Sequence, residues 1–147
     1  VGDMLTRHGI AWVAAERDQR LVERGRTEGH PVWFGDGSRT EFLKRVGLEE
    51  ARALIVTLDD AGDAESIVAC ARELRPDIPT VSRARDADHA RRLYELGATD
   101  VVPETIDASL QLSAAALRGM GIPMASVMES IQQRRAVLQN QLRQSAR

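Results

Sequence analysis

Residues 53–60 read Ala-Leu-Ile-Val-Thr-Leu-Asp-Asp, and this stretch decides the class of fold that the sequence predicts. The first six residues are apolar or β-branched, and the run then ends in two carboxylates. A short, continuous apolar run predicts a strand that is buried on both faces, as in a parallel sheet. An amphipathic helical pattern follows at residues 63–74 and provides the crossover that a parallel strand needs. The stretch therefore indicates one strand–helix unit of an open α/β sheet.

The same alternation of strand and helix continues on both sides of this unit. Short apolar runs predict four further strands, at residues 10–15, 31–34, 79–82 and 100–102. Asp18, Ser38 and Asp86 follow strands at positions where their side chains suit helix N-caps. Gly29 and Gly47 suit the ends of the helices. Strand–helix spacing of this kind predicts a parallel sheet with right-handed crossovers.

Beyond Pro103 the alternation stops. Two helical patterns follow, at residues 104–120 and from Met124 to about residue 142, with a break between them. Two helices with no strand between them do not extend a sheet. They are expected to pack across it, to pack on another chain, or to lead elsewhere.

Bulk properties exclude several classes of protein. A length of 147 residues suits one domain, and a formal net charge of -2 offers no basic field for nucleic acid. Cys70 is the only cysteine, which excludes a disulfide within the chain. No apolar run approaches the roughly 20 residues needed to span a bilayer. These absences fit a cytoplasmic domain, whether or not its parent protein is membrane-bound.

Polar and glycine residues cluster at the predicted strand ends, where ligands bind in an open α/β sheet. The candidate ligand-binding residues are Glu16, Arg17, Gly35, Asp36, Thr57, Asp59 and Arg83.

Each candidate has a structural alternative. The Glu16 carboxylate suits both hydroxyls of an adenosine ribose, or it is a solvated charge at a strand end. Arg17 beside it would tolerate the 2′-phosphate of NADP, but the Glu16 carboxylate would repel that phosphate. The pair therefore favours NAD or an adenine mononucleotide over NADP. Gly35 and Asp36 form either a turn that approaches the adenine or ribose of a ligand or a plain turn that leads into the next helix. Arg83 suits a phosphate or a salt bridge.

Asp60 and the histidines are assigned no ligand. Capping of the next helix is the alternative role of Asp59 and the expected role of Asp60. The two carboxylates together would need a third ligand to hold a divalent cation, and none is in view. His89 is expected to be solvated. His8, His30 and His89 lie far apart in the sequence, so we find no catalytic constellation.

The phosphate-binding loop G-x-G-x-x-G is absent, and Gly2 lies too far into its helix to serve. Residues 1–8 already have the pattern of a helix end that Gly9 terminates. We therefore expect the sequence to start after the first strand of the fold and its glycine loop, leaving the predicted sheet without that strand.

Five motifs in order resemble the regulator-of-potassium-conductance (RCK) or TrkA-N type NAD-binding domain, and most of all the cytoplasmic tail of Kef-type potassium/proton antiporters. They are residues 16–18 (Glu-Arg-Asp), 34–36 (Phe-Gly-Asp), 57–60 (Thr-Leu-Asp-Asp), 83–86 (Arg-Ala-Arg-Asp) and 97–104 (Gly-Ala-Thr-Asp-Val-Val-Pro-Glu). The resemblance implies a partial Rossmann-like nucleotide-binding domain at residues 1–103. A crossing or dimerisation helix at 104–121 and a peripheral helix at 122–147 would follow.

The resemblance also implies a function. Such a domain binds NAD(H) or an adenine nucleotide (AMP or ATP) and gates a potassium efflux transporter, fused upstream or separate, at the cytoplasmic side of the inner membrane. Glu16 would hold the ribose, Gly35 and Asp36 the adenine side, and Thr57 and Asp59 the floor of the crevice. Arg83 would hold the phosphate side, and the helix at 104–120 would form a homodimer. Glutathione gating is not supported, because residues 112–116 carry no charge.

Two alternative functions stay open. A dehydrogenase cofactor domain would need a proton-transfer residue, which the sequence after Pro103 does not offer, so we expect no enzymatic activity. A dimerisation module with a vestigial nucleotide site is the other alternative. The alanines at 114–116 and the apolar residues Leu110 and Leu117 favour an interface without requiring a ligand.

Overall fold

The computed structural model describes residues 1–146. These residues form two compact units, one comprising residues 1–51 and the other beginning at Arg52. All strand pairs in both units are parallel, and the connections between paired strands contain helices. The predicted α/β class with parallel strands is therefore confirmed. Arg147, the last residue of the predicted peripheral helix, lies outside the described residues.

The first unit contains a two-stranded sheet and three helices. Its elements are α1 (Gly2–Arg7), β1 (Ala14–Glu16), α2 (Gln19–Thr27), β2 (Val32–Phe34), α3 (Thr40–Arg45) and a 3₁₀ turn at Leu48–Glu50. Strands β1 and β2 pair with Glu16 opposite Phe34. Asp18 caps α2 as predicted, because its side chain accepts a hydrogen bond from the Arg20 backbone N–H.

The predicted strand at residues 10–15 is wrong at its start, because β1 begins only at Ala14. The Trp12 indole N–H donates a 2.9 Å hydrogen bond to the Thr6 hydroxyl of α1. Ile10 and Val13, on either side of this residue, are exposed. Ala14 pairs with Val32, so the residues before Ala14 would face Pro31, which has no backbone N–H, and the end of α2; regular pairing therefore starts at Ala14.

The second unit contains a three-stranded sheet and four helices. Its elements are β3 (Leu54–Val56), α4 (Ala61–Leu74), β4 (Thr80–Ala84), α5 (Ala87–Glu95), β5 (Asp100–Pro103), α6 (Glu104–Gly119) and α7 (Met124–Ser145). Strand β4 is central, with β3 and β5 on either side. A core of small and branched residues joins the sheet to α4 and α5; it consists of Val56, Ala64, Val68, Ala84, Ala90, Leu93, Ala98 and Val101.

Polar contacts hold α7 against the rest of the second unit. Arg143 lies over the Tyr94 ring with its guanidinium carbon 5.5 Å from the ring centroid, and it donates a 3.0 Å hydrogen bond to the Thr99 carbonyl. The Asp100 carboxylate is 3.7 Å from the same guanidinium. Nearer the start of α7, Arg135 pairs with Asp107 of α6 at 3.0 Å. The C-terminal helix is therefore an integral part of this unit.

Helix α6 buries one face and exposes the other. Leu110, which was expected to contribute to an interface, is buried within the unit at 6% exposure, so that expectation is wrong. Leu112, on the opposite face, is 74% exposed.

Among residues 1–146, no helix combines the length and the apolar character that crossing a bilayer requires.

Candidate functional site

The β1–α2 junction holds the Glu16 carboxylate in a fixed position. Oε1 accepts hydrogen bonds of 2.8 Å from the backbone N–H groups of both Arg17 and Asp18. Glu16 is the last residue of β1, and the chain must turn here to reach the Asp18 cap of α2. The turn directs two N–H groups at the side chain of Glu16. Within the described residues, both hydrogen bonds fall on Oε1, so Oε2 is available to accept from another donor.

Gly35 lies beside Glu16 at the end of the two-stranded sheet. Its backbone N–H donates a 3.0 Å hydrogen bond to the Glu16 carbonyl, which extends the pairing of β1 and β2 by one step. The buried ring of Phe42 packs directly on Gly35, and a Cβ added at this position would overlap the ring. Packing of Phe42 is therefore sufficient to explain why a glycine stands here.

Asp36 organises the turn that follows. Its Oδ1 accepts hydrogen bonds from the Ser38 hydroxyl at 2.7 Å and from the Ser38 backbone N–H at 2.9 Å. These bonds, with smaller contributions from the positive charges of Arg39 and Arg17, hold the pKa of the Asp36 carboxyl below its ordinary value. Glu16, Arg17, Gly35 and Asp36 thus lie together at one end of the first unit's sheet.

The prediction that Ser38 caps α3 is wrong. The helix begins at Thr40, and its N-cap residue is Arg39, whose side chain makes no capping hydrogen bond. Because Asp36 accepts both Ser38 donors, the serine stabilises the turn before the helix rather than the helix itself.

Arg83 forms the centre of a charged cluster in the second unit. Its Nη1 lies 2.9 Å from the Glu104 carboxylate. Its Nη2 pairs with the Asp59 carboxylate and donates to the Thr57 carbonyl. The cluster contains one guanidinium and two carboxylates, so its formal net charge is -1.

The strand register explains how these residues meet. Arg83 is near the carboxyl end of the central strand β4 and pairs with Val102 of β5. On its other side, Val56 of β3 pairs with Ser82, which brings Thr57 level with Arg83. Parallel strands end at the same edge of a sheet, so one long side chain from the central strand reaches the ends of both neighbours.

The remaining acidic candidates have structural roles. Asp60 caps α4 as expected, accepting from the Asp63 backbone N–H at 2.9 Å. Asp86 caps α5 by accepting from the His89 backbone N–H at the same distance. In the part of the chain that the structure describes, no group of three or more His, Cys, Asp or Glu side chains is arranged to hold a metal ion.

His89 is buried, at 6% exposure, and the expectation that it is solvated is wrong. It precedes Leu93 by one helical turn and therefore shares the buried face of α5. Its Nδ1 accepts from the Arg85 backbone N–H at 3.2 Å, while its Nε2 is buried without a hydrogen-bond partner among residues 1–146.

Glu104 is the residue of the charged cluster that sequence reasoning missed. It was assigned only to the start of the helix at 104–120, yet it follows Pro103 at the end of β5, the strand beside Arg83. A carboxylate at that strand end was visible in the sequence. The order of the strands, which makes β4 and β5 neighbours, was the information needed to use it.

Each of the two groups of residues, taken within its own unit, has chemistry that suits one part of a nucleotide. A carboxylate with one oxygen fixed and the other available suits ribose hydroxyl donors, which is the arrangement at Glu16. Arg83 binds carboxylate oxygens through two nitrogens, and a guanidinium recognises carboxylate and phosphate oxygens with the same fork of donors.

Parallel strands, crossover helices and charged groups at the carboxyl ends of the strands define a Rossmann-like α/β domain. The chain belongs to the TrkA-N domain family, which matches residues 1–104. It is 32% identical over 147 residues to the "Putative K(+) efflux antiporter KefB" of Alkalimonas amylolytica. That alignment covers 100% of this chain but 22% of the antiporter, so the chain spans about a fifth of that relative's length.

Two solved structures share the fold. The TrkA-N domain of the inner membrane protein ybaL from Escherichia coli has a TM-score of 0.70 and 30% identity, covering 76% of this chain and 82% of that chain. The Shewanella denitrificans Kef CTD in AMP bound form has the same TM-score of 0.70, with 23% identity, and covers 91% and 96% of the two chains. At the latter identity the likeness supports the fold alone.

Proposed function

We propose that this chain is a nucleotide-sensing regulatory domain of a potassium efflux system, which binds NAD(H) or an adenine nucleotide and thereby gates transport. The observation that carries the proposal is the Glu16 carboxylate, whose Oε1 is fixed by two backbone N–H groups at 2.8 Å. Because these two hydrogen bonds already orient the carboxylate, Oε2 is in position to accept a hydrogen bond from a ligand hydroxyl.

Arg83 supplies the positive charge that a phosphate group needs. It is the preferred side chain for forked contacts with phosphate, and its two terminal nitrogens already bind anionic oxygens. AMP is the nucleotide present in the Kef CTD structure of the same fold. NAD(H) contains the same adenosine phosphate group, so the Arg83 guanidinium suits the phosphate of either ligand.

Regulation requires that the ligand prefer one conformation of the domain. A tenfold difference in affinity between two conformations shifts their equilibrium by about 1.4 kcal/mol per site. The relative from Alkalimonas amylolytica carries the name of a K(+) efflux antiporter and is about five times as long as this chain. We therefore place the domain with a membrane transporter, fused or separate, on the cytoplasmic side of the inner membrane.

A homodimer through α6 is part of the proposal. The exposed face of this helix carries Ala108, Leu112, Ala115 and Gly119, and Leu112 is 74% exposed. Small residues at helical spacing allow two helix backbones to approach closely, and an exposed leucine among them gains by burial. Leu112→Glu should turn the dimer into a monomer in analytical ultracentrifugation, whereas Gln111→Glu adds the same charge beside this face and should not.

Calorimetric titration of the domain with NADH, AMP and ATP tests ligand binding. We expect saturable binding of at least one of these nucleotides. Glu16→Gln keeps the shape of the side chain but weakens the ribose acceptor, and Arg83→Gln removes the phosphate contact, so both variants should bind less tightly. Glu41→Gln and Arg52→Gln alter exposed residues elsewhere in the first and second units and serve as matched controls.

The outcomes separate the proposal from its two alternatives. Binding without turnover of NADH supports a sensor, whereas hydride transfer with an alcohol or hydroxy acid would indicate a dehydrogenase. If no nucleotide binds and the protein is dimeric, the domain is a dimerisation module. Equal binding by wild type, Glu16→Gln and Arg83→Gln would show that neither side chain contributes to nucleotide binding.

A further inference from the structure

The Arg83 cluster has a feature that simple phosphate binding does not require. A guanidinium that only awaits a phosphate needs no carboxylate on each of its terminal nitrogens. Glu104 lies 2.9 Å from Nη1, and Asp59 pairs with Nη2. A phosphate that binds end-on to the fork uses one N–H from each of these same two nitrogens. Ligand and carboxylates therefore compete for the same donors.

The carboxylates of Asp59 and Glu104 belong to different kinds of structural element. Asp59 belongs to the loop after β3, and its side chain is 94% exposed. Glu104 is the first residue of α6, and its side chain is 51% exposed. Release of Asp59 frees a loop side chain. Release of Glu104 removes an ion pair between the central strand and the first turn of α6.

We infer that Glu104 is a built-in competitor of the ligand phosphate, and that its displacement from Arg83 couples nucleotide binding to α6. This inference rests on the proposed function and adds to it the route by which occupancy reaches the helix. Glu104 is a positioning residue in this scheme, because it acts on Arg83 and not on the ligand. Coupling is reciprocal, so whatever strengthens the Arg83–Glu104 pair weakens nucleotide binding.

The sign of the expected effect distinguishes this role from a structural one. A substitution that merely damages the site lowers affinity for the ligand. Glu104→Gln removes the negative charge and replaces one carboxylate oxygen with an amide nitrogen that cannot accept, while keeping the length of the side chain, so affinity should rise. Partly exposed ion pairs contribute little free energy, so we expect AMP and NADH to bind about three-fold more tightly.

The test is calorimetric titration of the whole chain with AMP and with NADH, comparing wild type, Glu104→Gln, Arg83→Gln and Glu95→Gln. Glu95 is the last residue of α5, and the helix starts near Arg83, so its charge lies about 13 Å along the helix axis from that end. Glu95→Gln should bind as wild type does. Arg83→Gln should bind more weakly than wild type.

Hydrogen exchange of α6 provides the second measurement. Nucleotide should speed exchange in residues 104–112 of the wild type, because Glu104 no longer holds the first turn. In Glu104→Gln the same segment should exchange quickly without nucleotide and change little when it is added. If a bound nucleotide only protected this segment, adding it would slow exchange instead.

The results separate failure of the inference from failure of the proposed function. If wild type binds and Arg83→Gln is impaired, but Glu104→Gln binds equally or less well, the competitor role is overturned and the sensor remains. If only Glu104→Gln binds, competition is stronger than expected and the inference holds. If neither wild type nor Glu104→Gln binds AMP or NADH, both proposals fail.

Discussion

Arg143 offers the most quantitative test of how α7 is held in place. The side chain makes three contacts with the second unit: the Thr99 carbonyl at 3.0 Å, the Tyr94 ring at 5.5 Å and the Asp100 carboxylate at 3.7 Å. Replacement by alanine removes all three contacts at once.

The magnitude follows from the three contacts. A net hydrogen bond contributes about 1 kcal/mol. An exposed cation–π contact contributes about 0.5–1 kcal/mol. The Asp100 ion pair is partly exposed, and such pairs contribute about 0–1 kcal/mol. One side chain makes all three contacts, so they do not add fully, and Arg143→Ala should lower the local opening free energy of α7 by about 1–2 kcal/mol.

Native-state hydrogen exchange, resolved to residues 134–146, measures this quantity directly. Arg134→Ala is the matched control, because Arg134 is an exposed arginine of the same helix that makes none of these contacts. Arg143→Lys keeps the charge but loses the planar group over the ring, and an intermediate effect is expected. A change below about 0.3 kcal/mol, or one equal to that of Arg134→Ala, would refute the assigned anchoring role.

Three further predictions concern stability. Leu93→Ala should destabilise the second unit by about 2–5 kcal/mol, because Leu93 is fully buried in its core, and urea unfolding would reveal it. Asp86→Ala should cost about 1 kcal/mol by removing the cap of α5, whereas Asp86→Asn should retain most of it; equal losses would argue against capping. Hydrogen bonds from the Ser38 hydroxyl and the His89 backbone N–H hold the pKa values of Asp36 and Asp86 below their ordinary 3.8. Near that pH the unfolded chain therefore binds more protons than the folded chain does. The contribution of these two carboxylates to the free energy of unfolding should be fully present at neutral pH and be lost as the pH drops through and below 3.8. Thermal melts from pH 7 to pH 3 that show no decline would contradict this assignment.

Local signals in the sequence were enough to predict the order of the elements. The apolar run at residues 53–58 contains strand β3 (Leu54–Val56), and Asp18, Asp60 and Asp86 cap the helices that were assigned to them. Each of these features depends on residues within one turn or strand. Composition and spacing therefore determine them without knowledge of the fold.

Some predictions failed because the answer depends on a contact between elements, and others because a local signal was overlooked. The register of β1 with β2 leaves Pro31 opposite the residue before Ala14, which shortens β1. Within one turn, Asp36 takes the donors of Ser38 that were expected to cap α3. His89 lies on the buried face of α5, one turn before Leu93, a spacing that the sequence does display. The partnership of Arg83 with Glu104 needed the strand order, which a strand–helix pattern leaves open.

The packing of Phe42 on Gly35 has a practical consequence for mutagenesis. A substitution as small as Gly35→Ala would drive a methyl group into an aromatic side chain before it met any bound molecule. A loss of affinity in that variant would report a displaced ring and would say nothing about recognition. Only a paired change, with a smaller side chain at position 42 to make room, would allow position 35 to serve as a probe.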